Sequence, residues 1–262
     1  MVAPVLGIPV GTKQTGQRVD FRPTQFDLLI ETKGYLLAWT RMSICPCTSG
    51  SPQSDQPDPN CTLCDGSGLL YFGSDTAQDL TDYTFTDLQQ SILDDSGALV
   101  IRGVITNMSS KQDRIDKASN WVEGSMSLSV RAENKIGHFD RLVALDAKVV
   151  YTEHIKADGT ALTKPRYPIV EMSQIRSLTT SYILGTDYEL TASGSISWLL
   201  TPPIEDTVLS LHYICHPTWI VVDHPHVARV TSRIFKTPTP TTPTGDAVDL
   251  PTQATVLYEF LL

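Results

Sequence analysis

A mainly β fold, with strands of the sandwich or barrel kind, one N-terminal helix and a small cysteine-bearing loop, is what this sequence predicts. Three observations carry that expectation. From Ala98 onward, short runs rich in β-branched or alternating apolar residues are separated by turn residues. Met126, Leu128 and Val130 interleave with Ser125, Ser127 and Ser129, the period-2 pattern of a half-buried strand. Four of the five cysteines fall between residues 45 and 64, inside a Gly- and Pro-rich stretch that cannot be a regular element.

The elements follow in order. Residues 1–20, rich in Gly, Pro, Thr and Val without a period, read as an extended arm. FRPTQFDLLIETKG then reads as a helix: Pro23 suits a first turn, Phe26, Leu29 and Ile30 share a face, and Gly34 caps the end. YLLAWTRMSI is a strand that runs straight into Cys45. The segment after Phe72 is polar and acidic, with a short helix expected around Leu88 to Leu93.

The β-rich part starts with ALVIRGVITNM, GSMSLSVRAE and DRLVALDAKVVYTEHI as strand runs. Lys156-Ala157-Asp158-Gly159-Thr160 is expected to turn a hairpin, and RYPIVEMSQIRSL to form the next strand. In SYILGTDYELTASGSISWLLTPP, Gly185 and Gly194 punctuate three short strands across which Tyr182, Tyr188 and Trp198 can pack. DTVLSLHYICHPTWIVVD is one long strand that Pro217 must interrupt or place at an edge. KTPTPTTPTGDAVDLP reads as an extended Pro/Thr loop centred on residues 237–245, and ATVLYEFLL as a closing strand. The expected organisation is thus an arm (1–20), a helix–strand segment holding the cysteine loop (21–97) and a β-rich domain (98–262).

Composition narrows the function. Lys and Arg number 20 against 29 Asp and Glu, a formal charge of -9, which is the wrong sign for a protein built to grip phosphates. No apolar run reaches membrane-spanning length, and the first residues lack the pattern of a secretory signal, so a reducing cytosol is the expected place of synthesis. There, clustered cysteines are more often metal ligands than disulfides.

The cysteine spacing is Cys45-x-Cys47, thirteen residues, then Cys61-x-x-Cys64. Two short-spaced pairs joined by a loop are what a closed, four-thiolate structural Zn²⁺ site requires. Pro46 stiffens the first pair, Asn60 suits a turn, and Gly66 and Gly68 let backbone fold near the sulfurs. A Cys-x-Cys disulfide would be strained, and a redox Cys-x-x-Cys belongs beside a βαβ pattern that is absent here. Cys61-Thr-Leu-Cys64-Asp-Gly-Ser-Gly resembles the Cys-x-x-Cys-x-Gly-x-Gly unit of J-domain chaperones. Without the repeats or a J domain, that resemblance implies only a local zinc-knuckle geometry.

Other chemistry-bearing residues are weaker. His216, His224 and His226 with Asp223 could form a zinc-dependent hydrolase site, yet His-Pro-His splays its rings, and polar residues at strand ends are the plainer reading. Asp140-Arg141 and Asp187-Tyr188 read as solvated or hydrogen-bonded turn residues. Cys215 reads as a buried small hydrophobe. No nucleophile elbow, phosphate loop or dinucleotide fingerprint occurs in a fitting context. The chain is therefore read as a non-enzyme.

The ordered string of motifs is similar to structural proteins of the neck of tailed bacteriophages. It runs from a helix and strand to Cys-Pro-Cys and Asn-Cys-x-x-Cys-x-Gly-x-Gly, then Asp140-Arg141-Leu142-Val143, then Tyr182-Ile-Leu-Gly-Thr-Asp-Tyr188 with Ile196-Ser-Trp198. Tyr213, Pro217-Thr-Trp219-Ile-Val-Val-Asp-His224 with Arg229, and Leu250-Pro251-Thr-Gln-Ala254 complete it. The resemblance implies a connector or stopper subunit: a multimeric ring of the virion, assembled in the bacterial cytoplasm, that joins portal and capsid to tail and touches DNA only as it passes. Its partners would be copies of itself and other neck, portal or tail proteins. Alternatives are a tail or baseplate structural protein, the zinc-dependent hydrolase, and a zinc-knuckle module that binds protein or nucleic acid.

Overall fold

A computed structural model describes residues 23–49, 57–64, 66–73, 78–107, 125–226, 230–232, 247–249 and 251–259. The expected arm at 1–20, the Pro/Thr loop at 237–245 and the terminal Phe260 to Leu262 lie outside the described residues, as do the side chains of His224 and His226 and all of Arg229.

In chain order the elements are α1 (Pro23–Lys33), β1 (Tyr35–Ile44), β2 (Leu69–Phe72), α2 (Asp87–Ser96), β3 (Leu99–Asn107), β4 (Met126–Val130) and β5 (Arg141–Ala144). Next come β6 (Val149–Lys156), β7 (Leu162–Thr163), β8 (Ile169–Arg176), β9 (Ser181–Tyr182), β10 (Tyr188–Leu190), β11 (Ile196–Trp198) and β12 (Val208–Cys215). The last are β13 (Thr218–His226), β14 (Val230–Ser232), β15 (Ala247–Asp249) and β16 (Thr252–Tyr258). The mainly β expectation holds, and of the two arrangements it allowed, strands from both ends of the chain take the barrel.

That barrel has six strands in the order β1-β3-β4-β16-β13-β5, and the β1–β5 pairing closes it. All its pairings are antiparallel. Closure removes the exposed edges an open sheet would leave. Inward residues of alternating strands fill the lumen: Leu37, Trp39, Ile101, Leu128, Val130, Leu142, Trp219, Val221 and Val256 form one buried cluster. Gly103 faces the same interior, where a Cβ would come within 2.8 Å of a Leu37 methyl. β1, from the segment before residue 97, is hydrogen-bonded on both edges to strands that follow it.

The helices cover the barrel. In α1 Phe26 and Ile30, one turn apart, are buried, but Leu29 is exposed, so its face is narrower than expected. The Gly34 N–H closes on the Ile30 carbonyl at 2.8 Å. α2 has a complete capping box, Thr86 and Gln89 each accepting the other's backbone N–H, and ends on Gly97 in the left-handed region. Its Leu93 packs against Ala38, Val100, Val143 and Leu145 on the barrel exterior.

Between β5 and β13 the chain leaves the barrel to build a second unit. DRLVALDAKVVYTEHI, expected as one run, breaks into β5 and β6 because Leu145 to Lys148 is the crossing point. A four-stranded sheet β6-β12-β8-β9 packs with a three-stranded sheet β10-β11-β7 around Tyr167, Ile169, Tyr188, Ile196, Trp198, Leu209, Leu211 and Tyr213. The rings of Tyr182 and Tyr188 meet Trp198 edge-on at 5.0 and 5.9 Å, as the spacing implied. Gly185 and Gly194 have φ of 78° and 74°, so each does punctuate a turn.

Two expectations change. The Lys156 to Thr160 turn does not join a hairpin: β6 pairs with β12 over eight residues, whereas β7 pairs with β11. The longer ladder offers β6 more hydrogen bonds than the two-residue β7 could. The long run from Val208 is interrupted at His216-Pro217 as expected, where the chain passes from sheet to barrel. Part of the expected Pro/Thr loop, Ala247–Asp249, is also strand, paired with β14.

Candidate metal centre

β1 is longer than the barrel needs. Its last residues, Arg41 to Ile44, project beyond the β5 pairing and pair only with β2, making a two-stranded ribbon whose tip holds the four cysteines. Cys45 follows Ile44 directly and its N–H donates to the Gly68 carbonyl at 2.8 Å, so the first and last residues of the tip are tied together. Pro46 to Ser49 make one 3₁₀ turn, which carries Cys47 to the same side.

The second pair is set by turn chemistry. Asp58 accepts the Asn60 N–H on its side chain at 2.9 Å and the Cys61 N–H on its carbonyl at 3.0 Å. The Cys64 carbonyl accepts from the Ser67 N–H at 2.9 Å and from its hydroxyl at 2.6 Å. Gly66 and Gly68 have φ of 75° and 73°, and a Cβ on Gly66 would meet the Pro59 carbonyl oxygen at 2.9 Å. The Gly68 N–H points at the Cys64 sulfur, 3.3 Å away.

The result brings together all four residues that the spacing singled out. The four sulfurs lie within 4.8 Å of one another, with Cys45 to Cys61 at 3.8 Å and Cys47 to Cys64 at 3.6 Å. None of the four is in a disulfide. Cys45 and Cys64 are buried; Cys47 and Cys61 are partly exposed. Backbone hydrogen bonds with Leu63 and Cys64 pull the Cys61 thiol down to about 7. At Cys47 a backbone hydrogen bond with Asp58 works the same way, but burial and the neighbouring thiols outweigh it and hold that thiol up at about 12. A converging set of four sulfurs, each with a backbone hydrogen-bond partner, could bind a metal ion. Among the described residues it is the one His/Cys/Asp/Glu group with that geometry.

The histidines do something else. His216 is buried, and its Nδ1 donates to the Ala147 carbonyl at 2.9 Å. The Pro217 carbonyl accepts the Ala144 N–H at 3.0 Å. These two bonds clamp the outgoing and returning crossings of the second unit, so His216 has a structural post. Asp223 is exposed. Cys215 is buried in the second core, and its burial pushes the thiol up to about 12, as befits an inert small hydrophobe.

Asp140 was legible only as a turn residue, solvated or hydrogen-bonded; it is hydrogen-bonded and buried. One carboxylate oxygen accepts the Trp39 indole N–H at 2.7 Å and the Gly137 N–H at 2.6 Å, and the other accepts the Met42 N–H at 3.0 Å. Arg141 beside it makes two hydrogen bonds to Glu259, at 3.2 and 3.1 Å. Asp187 accepts the Ile183 N–H at 2.7 Å and closes its own turn. A cavity of about 230 Å³ lies where α2, the barrel wall and the second unit meet, lined in part by Ser91, Asp95, Arg141, Ser193 and His216. Among the described residues no helix is long and apolar enough to cross a membrane.

Compared with models of known protein families and with the curated proteins, the chain matches none.

Proposed function

We propose that the chain is a non-catalytic structural subunit of a virion, forming a multimeric ring in the neck of a tailed bacteriophage between portal and tail, with one structural zinc held by Cys45, Cys47, Cys61 and Cys64. The observation that carries the reading is where the motif residues of the phage resemblance fall. Asp140 to Val143 form the β5 strand and its buried anchor. Tyr182, Tyr188 and Trp198 form the aromatic contacts of the second unit, Tyr213 its centre, and Pro217 to Trp219 the return into the barrel. Motifs that sit at joints and cores describe a shared framework, not a reaction.

Two further features support it. The second unit exposes large apolar side chains, among them Leu178 at 96% and Ile204 at 82%, more than a lone soluble subunit needs to show. Nine aspartates and no Lys, Arg or Glu lie between Met42 and Ile101, so the entire formal charge of -9 is matched by one stretch that would repel passing DNA. For the metal, four sulfurs each about 2.3 Å from a tetrahedral centre would lie about 3.8 Å apart. Distances of 3.8 and 3.6 Å need little adjustment to meet that.

Native mass spectrometry of the purified protein, alone and mixed with a portal or tail protein, tests both halves. One zinc per chain, with a ring formed alone or only beside that partner, is the expected result. A stable monomer that ignores both partners would overturn the neck assignment. Chelation should raise amide exchange in β2 while the barrel strands stay protected; unchanged exchange would remove the structural role of the metal.

A further inference from the structure

The cysteine cluster holds more information than a ligand count. Four cysteines allow three pairings, and one of them is already in contact across the loop: Cys45 with Cys61 at 3.8 Å and Cys47 with Cys64 at 3.6 Å, inside a cluster whose sulfurs all lie within 4.8 Å. Neither joins neighbours in sequence; their separations are 16 and 17 residues. Each close pair also unites one partly exposed thiol, Cys61 or Cys47, with one buried thiol, Cys45 or Cys64.

We propose that this cluster is an oxidation site as well as a metal site: on meeting hydrogen peroxide it converts to two crossed disulfides, Cys45–Cys61 and Cys47–Cys64, that keep the hairpin tip closed as the metal leaves. The proposal rests on the reading above only in supposing that a metal is bound first and that the particle leaves a reducing cytoplasm for an oxidising exterior. A cross-loop disulfide spans the tip from its first arm to its second, as the metal does. A bond within Cys45-Pro46-Cys47 would do neither.

The chemistry balances with peroxide as the oxidant. The accessible Cys61 thiolate attacks peroxide; an S–O bond forms, the O–O bond breaks, and the departing hydroxide takes a proton to become water. The buried Cys45 thiolate then attacks the sulfenic sulfur; the S–S bond forms, the S–O bond breaks, and a second hydroxide leaves as water after protonation. Two sulfurs have lost two electrons and the two peroxide oxygens have gained them. Cys47 and Cys64 repeat the sequence with a second peroxide, and the metal ion, stripped of thiolates, departs hydrated. Burial of the resolving thiols favours this outcome over deeper oxidation, because the sulfenic acid meets a sulfur before a second peroxide.

The test uses full-length, zinc-loaded protein treated with hydrogen peroxide. Expected are release of the bound metal, a chain lighter by four hydrogens than the reduced metal-free form, restoration by dithiothreitol with zinc, and continued protection of β2 amides in the oxidised form. Pairing is read from double variants. Cys47→Ser with Cys64→Ser leaves Cys45 and Cys61, and should form its disulfide at least about tenfold faster than Cys45→Ser with Cys47→Ser, which leaves Cys61 and Cys64. A Cys61–Cys64 bond in the wild type, oxygenated sulfurs in place of disulfides, equal rates in the two variants, or peroxide-resistant thiols would each overturn the proposal. These readouts need no assembled ring, so a failure of the neck reading would leave them unchanged. Run on metal-free chain, the variants also separate a failure of pairing from a failure of metal binding.

Discussion

Replacing Asp140 by alanine should cost more stability than any other single polar change in the barrel. The side chain is 3% exposed and its two oxygens accept three N–H groups, from Trp39, Gly137 and Met42. Alanine leaves the buried Trp39 N–H without an acceptor, at about 1–3 kcal/mol, and the part-buried Gly137 and Met42 N–H groups without theirs, at about 1 kcal/mol each. The expected loss is therefore about 3–5 kcal/mol, toward the lower end where a water enters the vacated space. Asparagine keeps one acceptor oxygen for Trp39 and Gly137 but turns an NH₂ toward the Met42 N–H, and should cost about 2 kcal/mol. Urea unfolding followed by tryptophan fluorescence reads both, with midpoints in the order wild type, Asp140→Asn, Asp140→Ala. If both variants stay within about 1 kcal/mol of wild type, or asparagine is as costly as alanine, the carboxylate is not the anchor described.

Two more outcomes are expected. A Cβ on Gly73 would fall 1.9 Å from the Gly97 carbonyl oxygen, backbone against backbone, so Gly73→Ala should cost about 2–3 kcal/mol. Gly185→Ala, at φ 78° with nothing within 4 Å, should cost only about 1 kcal/mol; similar thermal shifts for the two would contradict the close approach. His216 is held below the ordinary histidine value of 6.5 mainly by burial. The unfolded chain therefore binds the proton more readily, and the stability His216 contributes is present above about pH 6.5 and lost as pH falls through its lower folded value. Melting curves between about pH 7.5 and 5 should drop more steeply for wild type than for His216→Asn, which keeps an N–H for Ala147 but cannot titrate; parallel curves would refute this.

What was legible in the sequence was local. YLLAWTRMSI is β1 residue for residue, α1 starts at Pro23, and the cysteine spacing named all four members of the sulfur cluster. In each case the signal lies within a few residues: a period, a cap, a pair of thiols. What was hidden is non-local. Closure of the barrel depends on Leu37 to Thr40 pairing with Arg141 to Ala144, about a hundred residues away, and no periodicity announces a partner at that distance. The same limit explains the hairpin expected at Gly159 but not formed, where turn chemistry was right but β6 found β12. It also explains Asp140, whose burial depends on Trp39 arriving from the opposite end of the barrel segment.

The location of the sulfur cluster follows from the barrel itself. Inside the barrel, Leu37 to Trp39 have β3 on one edge and β5 on the other, with the lumen packed beneath them. From Arg41 onward β1 has β2 as its ladder partner, and the exposed Ile44 and Phe72 show that this ribbon gains little from apolar burial. A two-stranded hairpin without a packed face is marginal in water, and a tip of Gly, Pro and Ser adds ordering entropy that burial does not offset. Cross-linking the tip is the remaining physical means of holding it. The Cys45 to Gly68 backbone bond marks the last rung of the ladder, and the sulfurs begin where that ladder ends. The cluster therefore stands where backbone hydrogen bonding stops holding the chain, which is where a ligand-mediated staple contributes most.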